Sequence, residues 1–430
     1  MLFAGILWFL LVRSLYDDNV AFFSSLLFLS SPVIVYFSRV TMSEMPALAF
    51  LILTIYSNRE FLRSGGKGAA MMCALSLTLG IYSKLLLVFL VSLIVISMLL
   101  EKGIEILRKK AVWVAVALVI LLSLPLIILT AKIAKGNLIW IFEHPQQHWN
   151  LNWLWAYPER IWRQLLSLPV VILSFLGLVL TLVHRRRHEH LFLLWILLLY
   201  LELTFIGPSE ERYAIYWVPP FCLFTALVSK FIRIKALKVA FFLVLTGISV
   251  YQICSAVRME PRYAEGYEQA ARFVVENQAS TVLYSANVDD GYFVFFTRKY
   301  DSQRKMIVLR ADKILATSNL GAIVNELISD PQQIYSTMNS FGIRYLVVEK
   351  SKSRSRVLEW VNEEAGSEHF LLRKVIPIRS NYPPELSDVN LLIYEYKDWR
   401  PPDPNAVIRM NIPLMGRDIV VPLADLTTKM

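Results

Sequence analysis

One carboxylate, Glu44, stands in the short polar stretch Tyr36-Phe-Ser-Arg-Val-Thr-Met-Ser-Glu-Met-Pro46, between two apolar segments. A carboxylate at the edge of an apolar layer is costly unless it is paired or used. It can act as a general base or hold a metal. Arg39 lies shortly before it, Lys84 interrupts the apolar run from Ala69 to Leu100, and Glu210-Glu211-Arg212-Tyr213 opens a later run. A guanidinium can bind two phosphate oxygens at once, whereas an ammonium acts as a point charge. Glu44 as the catalytic group, with Lys84, Arg212, Arg39 and Tyr213 around a phosphate, would serve transfer from a lipid-linked phosphate. The plain alternative is a set of interfacial charges. Glu44 would then favour a helix start, Lys84 would snorkel outward, and Arg212 would pair with Glu210 or Glu211.

A second cluster lies in Trp140-Ile-Phe-Glu-His-Pro-Gln-Gln-His-Trp149. His144 and His148 are spaced i, i+4, with Glu143 adjacent. On a helix both imidazoles would share a face and fit a divalent metal. Pro145 is compatible with that only in the first helical turn. The aromatic residues around it, Trp140, Phe142, Trp149, Trp153, Trp155 and Tyr157, fit equally an amphipathic helix lying on a bilayer, or a lipid- or sugar-facing surface. Asp289-Asp290-Gly291 lacks the ligand spacing of an EF-hand loop and reads as a turn or cap. His184, His188 and His190 fall in a basic loop and read as part of a topology signal.

These residues are positioned by an apolar chain. Hydrophobic residues make up 56% of the 430, and mean hydropathy is +0.49, which marks an integral membrane protein. The apolar runs end near Cys254, and soluble composition follows. Two domains are expected: 1–255, a transmembrane helical domain, and 256–430, an extracytoplasmic α/β domain. The net charge of +10 comes from basic residues between apolar runs, where the positive-inside rule puts them, so nucleic acid is not an expected partner. Cys73, Cys222 and Cys254 all lie in or at the end of apolar runs and form no disulfide framework.

A crossing needs about 20 apolar residues. Candidate spans are about 20–37, 45–58, 69–83, 84–100, 111–130, 165–183, 190–206, 213–231 and 238–255: nine, plus a partial first helix from Leu2 to Val12. Charge fixes their alternation. Arg59, Arg63 and Lys67 precede the stretch 69–100, and Lys102, Arg108, Lys109 and Lys110 follow it. Both loops read as cytoplasmic, so two short helices broken at Tyr82-Ser83-Lys84 are expected rather than one long helix. Arg185-Arg186-Arg187 and the group Lys230, Arg233, Lys235 and Lys238 fall on the same inner side. Glu44, Lys84 and Arg212 then share the outer face with everything after Cys254.

In the polar domain, strands are expected at Thr281–Ser285, Lys305–Leu309, Arg344–Val348, Leu371–Ile376 and Leu391–Tyr396. Helices are expected at Glu265–Glu276, Leu320–Ile328, Gln332–Phe341 and Arg356–Glu364. Their alternation predicts a mainly parallel sheet with both faces covered. No glycine-rich phosphate fingerprint follows a strand.

Three patches resemble the GT-C superfamily of membrane glycosyltransferases, in its branch of dolichyl-phosphate-mannose–protein mannosyltransferases and aminoarabinose transferases. They are Ser38-Arg-Val-Thr-Met-Ser-Glu-Met-Pro46, Leu75-Ser-Leu-Thr-Leu-Gly-Ile-Tyr-Ser-Lys84 and Glu211-Arg-Tyr-Ala-Ile-Tyr-Trp-Val-Pro-Pro220. The resemblance implies transfer of a sugar from a polyprenyl-phosphate-linked donor to a lipid, glycan or protein acceptor on the extracytoplasmic face. It also implies a multi-pass location in a bacterial inner membrane. The family's first outer loop, with its catalytic Asp, would lie upstream of Met1, which implies a truncated start or an inactive member. Two other classes stand beside this reading: an accessory membrane-anchored binding protein, and a transporter. A transporter would call for internal repeats and midplane charges that are not seen here.

Overall fold

A computed structural model describes residues 1–40, 42–133, 153–161, 166–184, 189–206, 211–286, 291–319, 322–352, 355–381, 386, 389–412 and 417–428. Two compact units result, a helical one up to Pro261 and a mixed one from Arg262.

In an apolar solvent each backbone N–H and C=O must be satisfied within its own segment, so apolar runs become helices. The first unit contains α1 (Leu2–Leu15), α2 (Asp18–Ser30), α3 (Pro32–Arg39), α4 (Glu44–Ser64), α5 (Lys67–Ser83), α6 (Phe89–Lys102) and α7 (Lys110–Ile133). After these come α8 (Trp153–Arg160), α9 (Leu168–His184), α10 (Glu189–Ile206), α11 (Glu211–Ala214), α12 (Val218–Leu227) and α13 (Lys235–Arg258). Asp17 caps α2 by accepting a hydrogen bond from Val20 N at 2.9 Å.

Among the described residues three helical stretches are long and apolar enough to cross a membrane: Leu85–Lys102, Lys110–Ala131 and Lys235–Arg258. The bent pair α2–α3 makes a fourth if counted as one. Of the other expected spans, those at 69–83 and 165–183 lie in the 17-residue helices α5 and α9, while α4, at 21 residues, carries Glu44 at one end and Arg59, Glu60 and Arg63 at the other. The span at 20–37 is not one helix: α2 and α3 meet at 56°, because Pro32 cannot continue the helix hydrogen bonding of α2. The span at 213–231 is divided among α11, a 3-10 turn Ile215–Trp217, α12 and a second 3-10 turn Val228–Lys230. The faces of α7 and α13 carry exposed Trp113, Ile120, Leu121, Leu243 and Tyr251, as a lipid-facing surface requires.

Helix α4 is tied to its neighbours by polar rungs. Thr54 Oγ1 donates to Ser76 Oγ of α5 at 3.1 Å, and Asn58 Nδ2 donates to Ser97 Oγ of α6 at 2.9 Å. Such bonds contribute roughly 0.6 kcal/mol each between helices in a bilayer and fix their register. The expected break between 69–83 and 84–100 is present. Helix α5 stops at Ser83, Lys84 is extended (φ −155°, ψ 115°), and a 3-10 turn Leu85–Val88 leads into α6.

In the second unit a five-stranded sheet has the order β3-β2-β6-β9-β7. Its strands are β2 (Thr281–Ser285), β3 (Ile307–Arg310), β6 (Tyr345–Glu349), β7 (Phe370–Pro377) and β9 (Asn390–Tyr396). Both faces are covered. Leu346 and Val348 pack into one core with the helices Gln332–Ser340 and Arg356–Glu364. Tyr345 and Val347 pack into another with the helices Tyr267–Glu276 and Gly291–Tyr300. The sheet is mixed, not mainly parallel: β2 pairs parallel with β3 and β6, while β9 pairs antiparallel with β6 and β7. Parallel neighbours need a crossover, usually a helix. A helix follows each of β2 and β6, but no helix lies between β7 and β9 among the described residues. The helix expected at 320–328 is instead a strand, β5 (Ala322–Glu326), antiparallel to β4 (Ala316–Asn319).

Candidate active site

The site is assembled where α4 begins and α5 ends. Glu44 is the first residue of α4, so its carboxylate meets the positive end of the helix dipole. It is only 1% exposed. Lys84, in its extended link, directs its ammonium back across the α4–α5 contact. Lys84 Nζ donates to Glu44 Oε1 at 2.5 Å. The cost of burying each charge is thereby offset by the other.

The same ammonium lies 5.0 Å from the centre of the Tyr213 ring. Arg212 Cζ lies 5.1 Å from that ring, and Arg212 Nη2 donates to Tyr213 Oη at 3.3 Å. The aromatic face attracts both cations through its quadrupole and so gathers two positive groups beside one carboxylate. The link from α11 through the 3-10 turn into α12, with Pro219 and Pro220 in its first turn, holds Tyr213 there. Trp217 Nε1 secures the turn by donating to Ile196 O of α10 at 3.3 Å.

Glu44, Lys84, Arg212 and Tyr213, far apart in sequence, are thus brought together. Arg39 is not part of this cluster. Its Nη1 donates to Met259 O at 3.0 Å and to Ala256 O at 3.5 Å. It binds carbonyls at the C-terminal end of α13, where a cation also complements the helix dipole. Glu143, His144 and His148 lie outside the described residues. Among the described residues, no group of three or more His, Cys, Asp or Glu side chains could hold a metal ion.

Two polar groups escaped the sequence reading. Tyr216, fully buried, has a hydroxyl with no hydrogen-bond partner among the described residues, and it lies within electrostatic reach of Glu44 and Tyr213. The only trace in the sequence is a second tyrosine one helical turn after Tyr213. Glu202 sits near the end of α10 that leads to Arg212, and its Oε2 is buried without a partner among the described residues. A lone acid in the apolar run Leu197-Leu-Leu-Tyr-Leu-Glu-Leu203 was the signal available.

This arrangement can hold an anion with two cations and offer a carboxylate next to it, at one end of an apolar helical bundle. Residues 1–129 match the family of dolichyl-phosphate-mannose-protein mannosyltransferases. The fold is similar to ArnT from Cupriavidus metallidurans in the apo state, with a TM-score of 0.57 at 11% identity, covering 94% of this chain and 83% of that one. It is also similar to the same protein bound to undecaprenyl phosphate, with a TM-score of 0.53 at 11% identity over 92% of this chain and 82% of that one. No curated protein matches the chain by sequence. The chain is an integral membrane protein that shares the fold of ArnT, and its first 129 residues are similar to the dolichyl-phosphate-mannose-protein mannosyltransferase family.

Proposed function

We propose that the protein transfers a sugar from a polyprenyl-phosphate-linked donor to a lipid, glycan or protein acceptor. The observation that carries this reading is the convergence of Lys84 and Arg212 on the Tyr213 ring, beside the buried carboxylate of Glu44. The undecaprenyl phosphate bound by the Cupriavidus metallidurans protein supports the donor class.

In this reading the donor phosphate lies against Lys84 and Arg212, with its polyprenyl chain in the bilayer. An acceptor hydroxyl or amine attacks the anomeric carbon. The bond from that carbon to the phosphate oxygen breaks, and the phosphate leaves with the electron pair. Negative charge grows on the leaving phosphate, so fixed cations there stabilise the transition state more than the ground state. The acceptor proton passes to a carboxylate, for which Glu44 is the candidate. Lys84 binds Glu44 before the donor arrives and is shared with the phosphate afterwards. Positive-inside reasoning places the site and the second unit on the extracytoplasmic face, in a bacterial inner membrane.

The test is reconstitution of the full chain in proteoliposomes with labelled polyprenyl-phosphate sugars. Label should pass to an acceptor fraction, and Lys84→Ala, Arg212→Ala and Glu44→Gln should each lower transfer by about tenfold or more at equal amounts of inserted protein. Wild-type rates in all three variants would remove these residues from the reaction.

A further inference from the structure

A second charged site lies at the opposite end of α4. Arg59 is fifteen residues beyond Glu44 on that helix, or about 22 Å at 1.5 Å per residue, which approaches the thickness of a bilayer core. Here the C-terminal ends of α4 and α6 and the N-terminal end of α10 enclose a cavity of about 690 Å³. Arg59, Arg63, Lys102 and His190 contribute to its wall, together with leucines that include Leu100 and Leu194.

The charges in the wall are unequal. Among the described residues Glu101 is the one carboxylate in that wall, and it is bound to Arg59 at 2.7 Å. Arg63 reaches Glu60 on its own helix at 2.9 Å while remaining 70% exposed. Among the described residues, Lys102 makes no ion pair and no side-chain hydrogen bond. An ammonium unpaired among the described residues, an exposed guanidinium and an imidazole therefore border one hollow. The apolar part of the wall includes Leu100, which is 66% exposed. A free inorganic anion would leave that leucine surface against water. An anion carrying acyl chains would cover it.

We infer that this cavity binds the headgroup of an anionic phospholipid from the leaflet on the basic side of the protein, with its acyl chains along Leu100 and Leu194. Basic hollows between helix ends on the cytoplasmic side suit such headgroups, and that leaflet supplies them. The site is separate from the Glu44–Lys84 cluster, and the inference does not depend on sugar transfer.

The test uses the full chain in neutral detergent, with native mass spectrometry counting bound phosphatidylglycerol, phosphatidylcholine and inorganic phosphate. Phosphatidylglycerol should be retained in preference to phosphatidylcholine. Lys102→Ala with Arg63→Ala should weaken it roughly 25-fold, about fivefold for each cation removed. Arg233→Ala with Lys235→Ala, which removes two exposed cations elsewhere on the basic side, should change it less than about twofold. Should the first double variant fail to fold, Lys102→Gln alone is expected to weaken binding about fivefold. Equal retention of the two lipids, equal loss in both double variants, an unaltered Lys102→Gln protein, or displacement of the lipid by millimolar phosphate would each overturn the inference.

Discussion

The Glu44–Lys84 pair makes the sharpest energetic prediction. Its two side chains are 2% and 16% exposed, and the charged atoms approach to 2.5 Å. Even at an effective dielectric of about 20, unit charges 4 Å apart attract by roughly 4 kcal/mol, so the gross interaction here is at least that large. Lys84→Met leaves a buried carboxylate without its counter-ion, and Glu44→Gln leaves a half-desolvated ammonium. Each single change should cost about 3–5 kcal/mol. The double variant removes both charges together and should cost well below the sum, because most of each single penalty is the stranded partner. A coupling of about 3 kcal/mol or more follows. Reversible unfolding in mixed micelles, run as a double-mutant cycle on the four proteins, measures it. Additivity within about 0.5 kcal/mol would refute the reasoning, because it would mean the two charges do not hold each other in the bundle.

Other expectations follow from particular contacts. A Cβ added at Gly177 would lie 1.9 Å from Phe224 O, so Gly177→Ala should push α9 from α12 and cost at least about 2 kcal/mol; an unchanged melting temperature would contradict that close approach. Arg39→Ala should lower stability by about 1–2 kcal/mol by releasing the carbonyls of α13, while polyprenyl-phosphate affinity stays within about twofold; a large loss of affinity would return Arg39 to the site. In the second unit, burial and the hydrogen bond Tyr335 donates to Glu364 push its hydroxyl from 10.0 up to about 12. The unfolded chain then loses this proton first as pH rises, so the contribution to stability is full below pH 10 and declines between 10 and 12. Phenolate absorbance should show one tyrosine fewer titrating late in Tyr335→Phe, and an identical titration curve would contradict the assignment.

How much of this was legible depends on which interactions decide each element. The break at Lys84 could be read because the loop charges on either side demand an even number of crossings. That Lys84 would bind Glu44 could not, since the partner lies forty residues away and only the packing of α4 against α5 brings them together. Arg39 was misplaced for a related reason: the sequence puts it next to Glu44, but its guanidinium turns to the end of α13. Pro32 was a visible warning that the run at 20–37 would bend. In the second unit, Leu320, Ile323, Val324, Leu327 and Ile328 have the i, i+3, i+4, i+7, i+8 spacing of a helix, yet 322–326 pairs with 316–319 as a hairpin. Short apolar runs are ambiguous in this way, and a neighbouring strand resolves them. The direction of β9 was hidden too, because periodicity says which residues face a core and nothing about which way a strand runs.

The central claim is that Lys84 and Arg212 hold the phosphate of a polyprenyl donor. Affinity of the full chain for undecaprenyl phosphate, measured in detergent for the wild type and for Arg212→Ala, tests it most directly, since Arg212 lies outside the Glu44–Lys84 ion pair and its removal spares that pair. Loss of one charge-assisted contact of about 1.5–3 kcal/mol predicts affinity weaker by roughly 10- to 150-fold, with the protein still folded. Equal affinity in the two proteins would contradict the claim.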